Sequence, residues 1–92
     1  MLEKLTVEDF RPLQGERFRV APDGADAFEV ELVEVTEIPR DPGGRAPFSL
    51  VFRGGPNPPL PQQIYRVEQE KLGELDIFLV PIAVDQYQAI FT

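Results

Sequence analysis

The sequence contains neither cysteine nor histidine. Without cysteine there is no disulfide framework and no thiolate metal site, and because small secreted domains are commonly stapled by such bonds, the composition points to the cytoplasm. Without either residue, the commonest general base, the usual nucleophile-activating pairs and the usual zinc ligands are missing, which excludes the familiar hydrolytic triads. Basic residues are also few: nine Lys and Arg against sixteen Asp and Glu give a formal charge of −7. A field of that sign repels phosphate, and the cations are scattered with Arg17 and Arg19 as one close pair, so no nucleic-acid partner and no membrane partner is expected. No apolar run approaches the ~20 residues of a membrane helix. The opening Met1-Leu2-Glu3-Lys4-Leu5-Thr6 lacks the basic lead and continuous apolar core of a secretory signal.

What the chain does hold is enough for one hydrophobic core. Its 92 residues are 42% apolar, with seven Phe and two Tyr, the composition of a folded globule rather than of a disordered acidic chain. A single β domain over residues 1–92 is the expected organisation, being too short for two cores. Thr6 followed three residues later by Asp9 is close to a capping box and predicts one short helical turn before Pro12, which plugs one end of the fold with Leu5, Phe10 and Leu13.

From Gly15 the period becomes two. Phe18 and Val20 share one face of a strand and Arg17 and Arg19 the other, and Pro22-Asp23-Gly24 ends it in a turn. In the next run Phe28, Val30 and Leu32 alternate with Glu29 and Glu31, but Val33 and Val35 continue on the opposite phase. The change predicts a bulge or a sharp coil between Leu32 and Val33, the kind of device by which small barrels turn corners. Residues 39–46 read as a Pro/Gly-rich connection, after which Phe48, Leu50 and Phe52 alternate in a central strand. Gly54-Gly55-Pro56 through Pro61 reads as a stiff polyproline-like loop. Strands follow at Ile64–Glu68 and Leu75–Val80, joined by a hairpin with Gly73 in a left-handed conformation, and Pro81 is expected to mark the end or edge of the second. Tyr87, Ala89 and Phe91 share one face of a last strand. The fold class is therefore all-β: a small antiparallel barrel or sandwich of about six strands with a short N-terminal helical turn.

Few side chains here carry chemistry. The glycine pairs Gly43-Gly44 and Gly54-Gly55 lead into a strand and into prolines, not into the helix that a phosphate-cradling loop needs. Carboxylates are the remaining acid/base or metal-binding groups. Glu29 and Glu31 share a strand face, and Glu68 or Asp76 on a neighbouring strand would complete a weak divalent-cation site, although charged residues on a strand face more often simply keep it solvated. Arg45 and Arg53 are expected to pair with Glu68 or Glu74 across the sheet. Pro58 and Pro61 satisfy a P-x-x-P spacing, a recognition pattern for aromatic-lined grooves; a rigid connection with Leu60 tucked onto the core explains the same residues.

Leu2-Glu3-Lys4-Leu5-Thr6-Val7-Glu8-Asp9-Phe10 with Leu13-Gln14-Gly15-Glu16 resembles the start of a family of small bacterial proteins carrying a domain of unknown function. Ala46-Pro47-Phe48-Ser49-Leu50-Val51-Phe52-Arg53-Gly54, Leu60-Pro61-Gln62 and Tyr65-Arg66-Val67-Glu68 are similar to its middle. Leu72-Gly73-Glu74-Leu75, Phe78-Leu79-Val80-Pro81-Ile82 and Tyr87-Gln88-Ala89-Ile90-Phe91 are similar to its end. The resemblance covers nearly the whole chain and departs from the family mainly around Val84-Asp85-Gln86. It implies a β-rich fold, no reaction, and an accessory role beside phage-tail-like assemblies.

The residues and the resemblance together lead to a non-catalytic binding or assembly module with no catalytic residues, no cofactor and no metal. Its partner is expected to be a protein, a homodimer included, with Pro58, Leu60, Pro61, Tyr87 and Ala89 as candidate partner-binding residues and the edge of the last strand as the pairing element. The alternative is a carboxylate-based small-ligand or cation binder, or an enzyme, using Tyr65 or Tyr87 in a barrel mouth.

Overall fold

The computed structural model describes residues 5–38, 47–56 and 59–91. The predicted 39–46 connection, including Arg45, and Pro58 lie outside them. Six antiparallel strands, β1 (Arg17–Ala21), β2 (Phe28–Glu37), β3 (Phe48–Gly54), β4 (Gln63–Gln69), β5 (Gly73–Ala83) and β6 (Gln86–Phe91), close into a barrel in the order β1-β2-β3-β6-β5-β4. The barrel, not the sandwich, is thus the form taken. Inward positions alternate as the sequence predicts: Phe18, Val20, Val30, Leu32, Phe48, Leu50, Phe52, Tyr65, Val67, Ile77, Leu79, Tyr87 and Ala89 are all buried. Phe18 meets Phe52 edge-on at 5.1 Å between ring centroids.

The phase change in β2 is a bulge. The β2–β3 register slips between Leu32 and Glu34, leaving Val33 as the extra residue, so Glu34 remains opposite Val51 and Val35 opposite Leu50. The bulged backbone is not left open, because Gly15 N–H donates to the Leu32 carbonyl at 2.7 Å and the Gln14 side-chain amide donates to the Val33 carbonyl at 3.1 Å. Those two residues directly follow the helical segment, so the bulge is also where that segment docks.

One barrel end is plugged by α1 (Val7–Phe10) and the 3₁₀ turn Arg11–Leu13. Thr6 N–H donates to Asp9 Oδ2 at 2.7 Å, the half of a capping box that the short Asp side chain can reach. Phe10 is fully buried between Phe48 and Phe91, with centroids 5.7 and 5.5 Å away, and these two stack on each other at 4.7 Å. Arg11 ties the plug to the end of β2 through Glu37 and also reaches Glu8 at 3.2 Å.

Two expectations are corrected. β5 does not stop at Pro81; it runs to Ala83 with a register shift against β6 between Pro81 and Ala83. The missing proline N–H thus falls where the ladder is already interrupted, so the strand bends rather than ends. The last strand also has no open edge. β6 pairs with β3 on one side and β5 on the other, and closure of the ring uses up the edges that a terminal strand would otherwise present.

Candidate functional site

In the six-membered ring β3 and β4 stand three places apart, on opposite sides of the barrel. β3 ends and β4 begins at the barrel end away from the helical plug. Gly54 and Gly55 make the departure, with φ of 132° and 94°. A Cβ on Gly55 would sit 2.8 Å from the Phe28 ring, in a conformation that side chains rarely adopt.

Two tyrosines, Tyr87 on β6 and Tyr65 on β4, hold the segment before β4 down from within the barrel. The Tyr87 hydroxyl accepts the Leu60 N–H at 2.9 Å, and the Tyr65 hydroxyl donates to the Pro61 carbonyl. Tyr65 has its pKa raised, first by burial and second by the neighbouring Tyr87, since both effects disfavour a phenolate there. Leu60 packs onto the core. Leu60 and Pro61 thus form a strap at the barrel mouth whose fixings are the very phenols that a mouth-binding ligand would need.

Of the candidate partner residues, the fold brings Leu60, Pro61 and Tyr87 together, with Pro61 exposed and Tyr87 buried. Ala89 lies apart, buried in β6 opposite Leu50. Neither Tyr87 nor Ala89 presents a side chain to solvent, and the edge pairing proposed for Ala89 is taken by β3 and β5. Beside the strap, Ala27, Phe28, Gly55, Pro56 and Leu60 line a shallow apolar groove.

The carboxylates do not converge. β1 lies between β2 and β4, so Arg17 stands opposite Glu31, while Arg19 stands between Glu29 and Glu68. Diagonal and lateral ion pairs result, Arg17–Glu29 at 3.8 Å and Arg19–Glu68 at 3.6 Å. Glu29 and Glu31 do share a face, but arginines occupy the place where a third ligand was expected. Arg53 faces Glu31 and Gln86 rather than Glu68 or Glu74. Among the described residues no group of three or more carboxylates is placed to hold a metal ion.

Sequence reasoning missed the feature on the other side of the barrel. Every large apolar side chain that is exposed among the described residues lies on β4, β5, β6 or the β5–β6 turn: Ile64 (65%), Phe78 (50%), Ile82 (47%), Val84 (59%) and Ile90 (57%). Ile64 and Phe78 are direct cross-strand partners. Ile90 lies on β6, which pairs with β5 from Val80 to Ala83. Phe78, Val80 and Ile82 then carry the strip along β5 toward Val84. The signal was present in the sequence, since Ile77-Phe78-Leu79-Val80 is apolar at four successive positions, and a half-buried strand alternates.

No helix among the described residues is long and apolar enough to cross a membrane. Comparison with curated proteins and with solved structures gives no match. The sequence does match a family model over residues 5–91, a span that takes in the plug, all six strands, the strap and the apolar strip. The chain belongs to the family described as domain of unknown function (DUF6916).

Proposed function

We propose that the chain is a non-catalytic binding or assembly module, accessory to a phage-tail-like or other protein assembly, and that it engages protein through the outer face of β4, β5 and β6. The observation that carries this reading is the gathering of all five exposed large apolar side chains of the described residues on β4, β5, β6 and the β5–β6 turn. Scattered single apolar residues are ordinary on a protein surface, whereas a contiguous strip of them marks an interaction site. The filled interior, the strapped mouth and the arginine-interleaved carboxylates support a binding role over chemistry. The phage-tail-like setting rests on the family resemblance. The lack of cysteine supports a cytoplasmic location, and the −7 charge supports a partner other than nucleic acid or an anionic membrane.

The test is affinity capture from the native cells with the wild type and the Phe78→Glu variant. Phe78 is an outward-facing residue, so the variant should keep its fold, with stability changed by only about 0.5 kcal/mol. Recovery of partner protein should fall at least ~30-fold, as for loss of a central interface anchor. Undiminished recovery with the folded variant would remove this face from the binding account.

A further inference from the structure

We propose that the β4–β5–β6 strip joins two copies of this chain, face to face about a two-fold axis; the inference rests on the binding reading above and names its partner. Charge placement is the first argument. Two molecules of charge −7 repel, and they meet most readily where each carries no charge. The outward residues of β6 are Gln86, Gln88 and Ile90, and those of β5 beyond Asp76 are Phe78, Val80 and Ile82, none of them ionisable. The adjoining row sets Arg66 opposite Asp76, so its two signs cancel. The arginine–glutamate rows of β1 and β2 lie away from the strip, β1 being directly across the ring from β6 and β2 from β5, while β4 carries Glu68 four residues beyond Ile64. In a barrel whose short extents are 22 and 25 Å, that separation exceeds the ~8 Å screening length of physiological salt.

Size and chemistry supply the second argument. Five side chains between 47% and 65% exposed form a patch of a few hundred Å², and the same patch from two copies buries roughly 1,000 Å², the lower bound of a specific interface. An apolar strip is complementary to itself, which an isologous two-fold contact requires. Because the ring is closed, the contact is packing between outer faces and not strand addition.

Light scattering behind size exclusion, on the wild-type chain from about 1 µM to about 1 mM, reads the result directly, that range covering the weak affinities expected of a small interface. The expected outcome is a shift to twice the chain mass, undiminished when salt is raised from about 0.05 to about 0.5 M because no ion pair holds the contact. Phe78→Glu and Ile90→Glu, each shown by circular dichroism to be folded, should weaken dimerisation at least ~30-fold. A wild type that stays monomeric throughout overturns the proposal, as does a dimer that both folded variants retain. If the wild type is monomeric, the capture experiment separates the two readings: loss of a partner with Phe78→Glu keeps the binding face while the homodimer falls, and retention sinks both.

Discussion

Tyr65 and Tyr87 show how a residue's chemistry is redirected by what lies above it. Read in sequence, each was a polar handle in a barrel mouth; in the fold each hydroxyl is committed to backbone of the strap. Replacing Tyr87 by Phe keeps the ring and strands the Leu60 N–H, which should cost about 1 to 3 kcal/mol by urea unfolding; an unchanged midpoint would mean that water substitutes freely. Tyr65 gives a pH signature. Its pKa is raised above the ordinary 10.0, so the unfolded chain loses this proton first as pH rises. The stabilising contribution is complete below pH 10 and disappears as pH climbs through the raised value. Unfolding free energy should therefore fall more steeply above about pH 10 in the wild type than in Tyr65→Phe; equal slopes would show that the phenol is not shielded. The identity of the inward residues was legible because period two assigns a face to each position. The hydrogen-bond partners were not, because Leu60 is 27 residues from Tyr87 and only the fold brings them together.

At the scale of elements, turns and phase changes were readable and closure was not. The bulge at Val33 follows from local alternation, and the hairpin at residues 69–73 from a glycine that does adopt positive φ. Gln69 was invisible as a contributor: its buried side chain accepts the N–H groups of Lys71 and Leu72 at 2.6 and 3.3 Å, closing that hairpin. Pro81 misled because a proline ends a strand only where its N–H is needed, and here a bulge removes the need. The plug is the element with the largest predicted consequence. Phe10 fills the barrel end against Phe48 and Phe91, so Phe10→Ala should cost about 3 to 5 kcal/mol in chemical denaturation, the range for an aromatic core truncation. A loss under about 1 kcal/mol would mean that the end of the barrel collapses around the gap.

For the whole molecule, the all-β class and the strand number were legible, but ring closure depends on which strands become neighbours, and that is set by long-range packing. Closure then bears on where a partner is proposed to dock. It removes the free β6 edge on which a pairing role was first placed, and shifts attention to an outer face whose apolar residues alternation alone would have left as strand markers. Ile64 is the plain case: its apolar character marks a strand, yet Tyr65 and Val67 hold the inward phase and Ile64 points to solvent. The most direct measurement is a dilution series of amide NMR spectra on the uniformly labelled wild-type chain. The account predicts concentration-dependent shifts confined to residues near Ile64, Phe78, Ile82, Val84 and Ile90, with β1 and β2 unmoved. Spectra that do not change with concentration, or changes centred on the strap at Leu60 or on the charged face at Arg17 and Arg19, would contradict it.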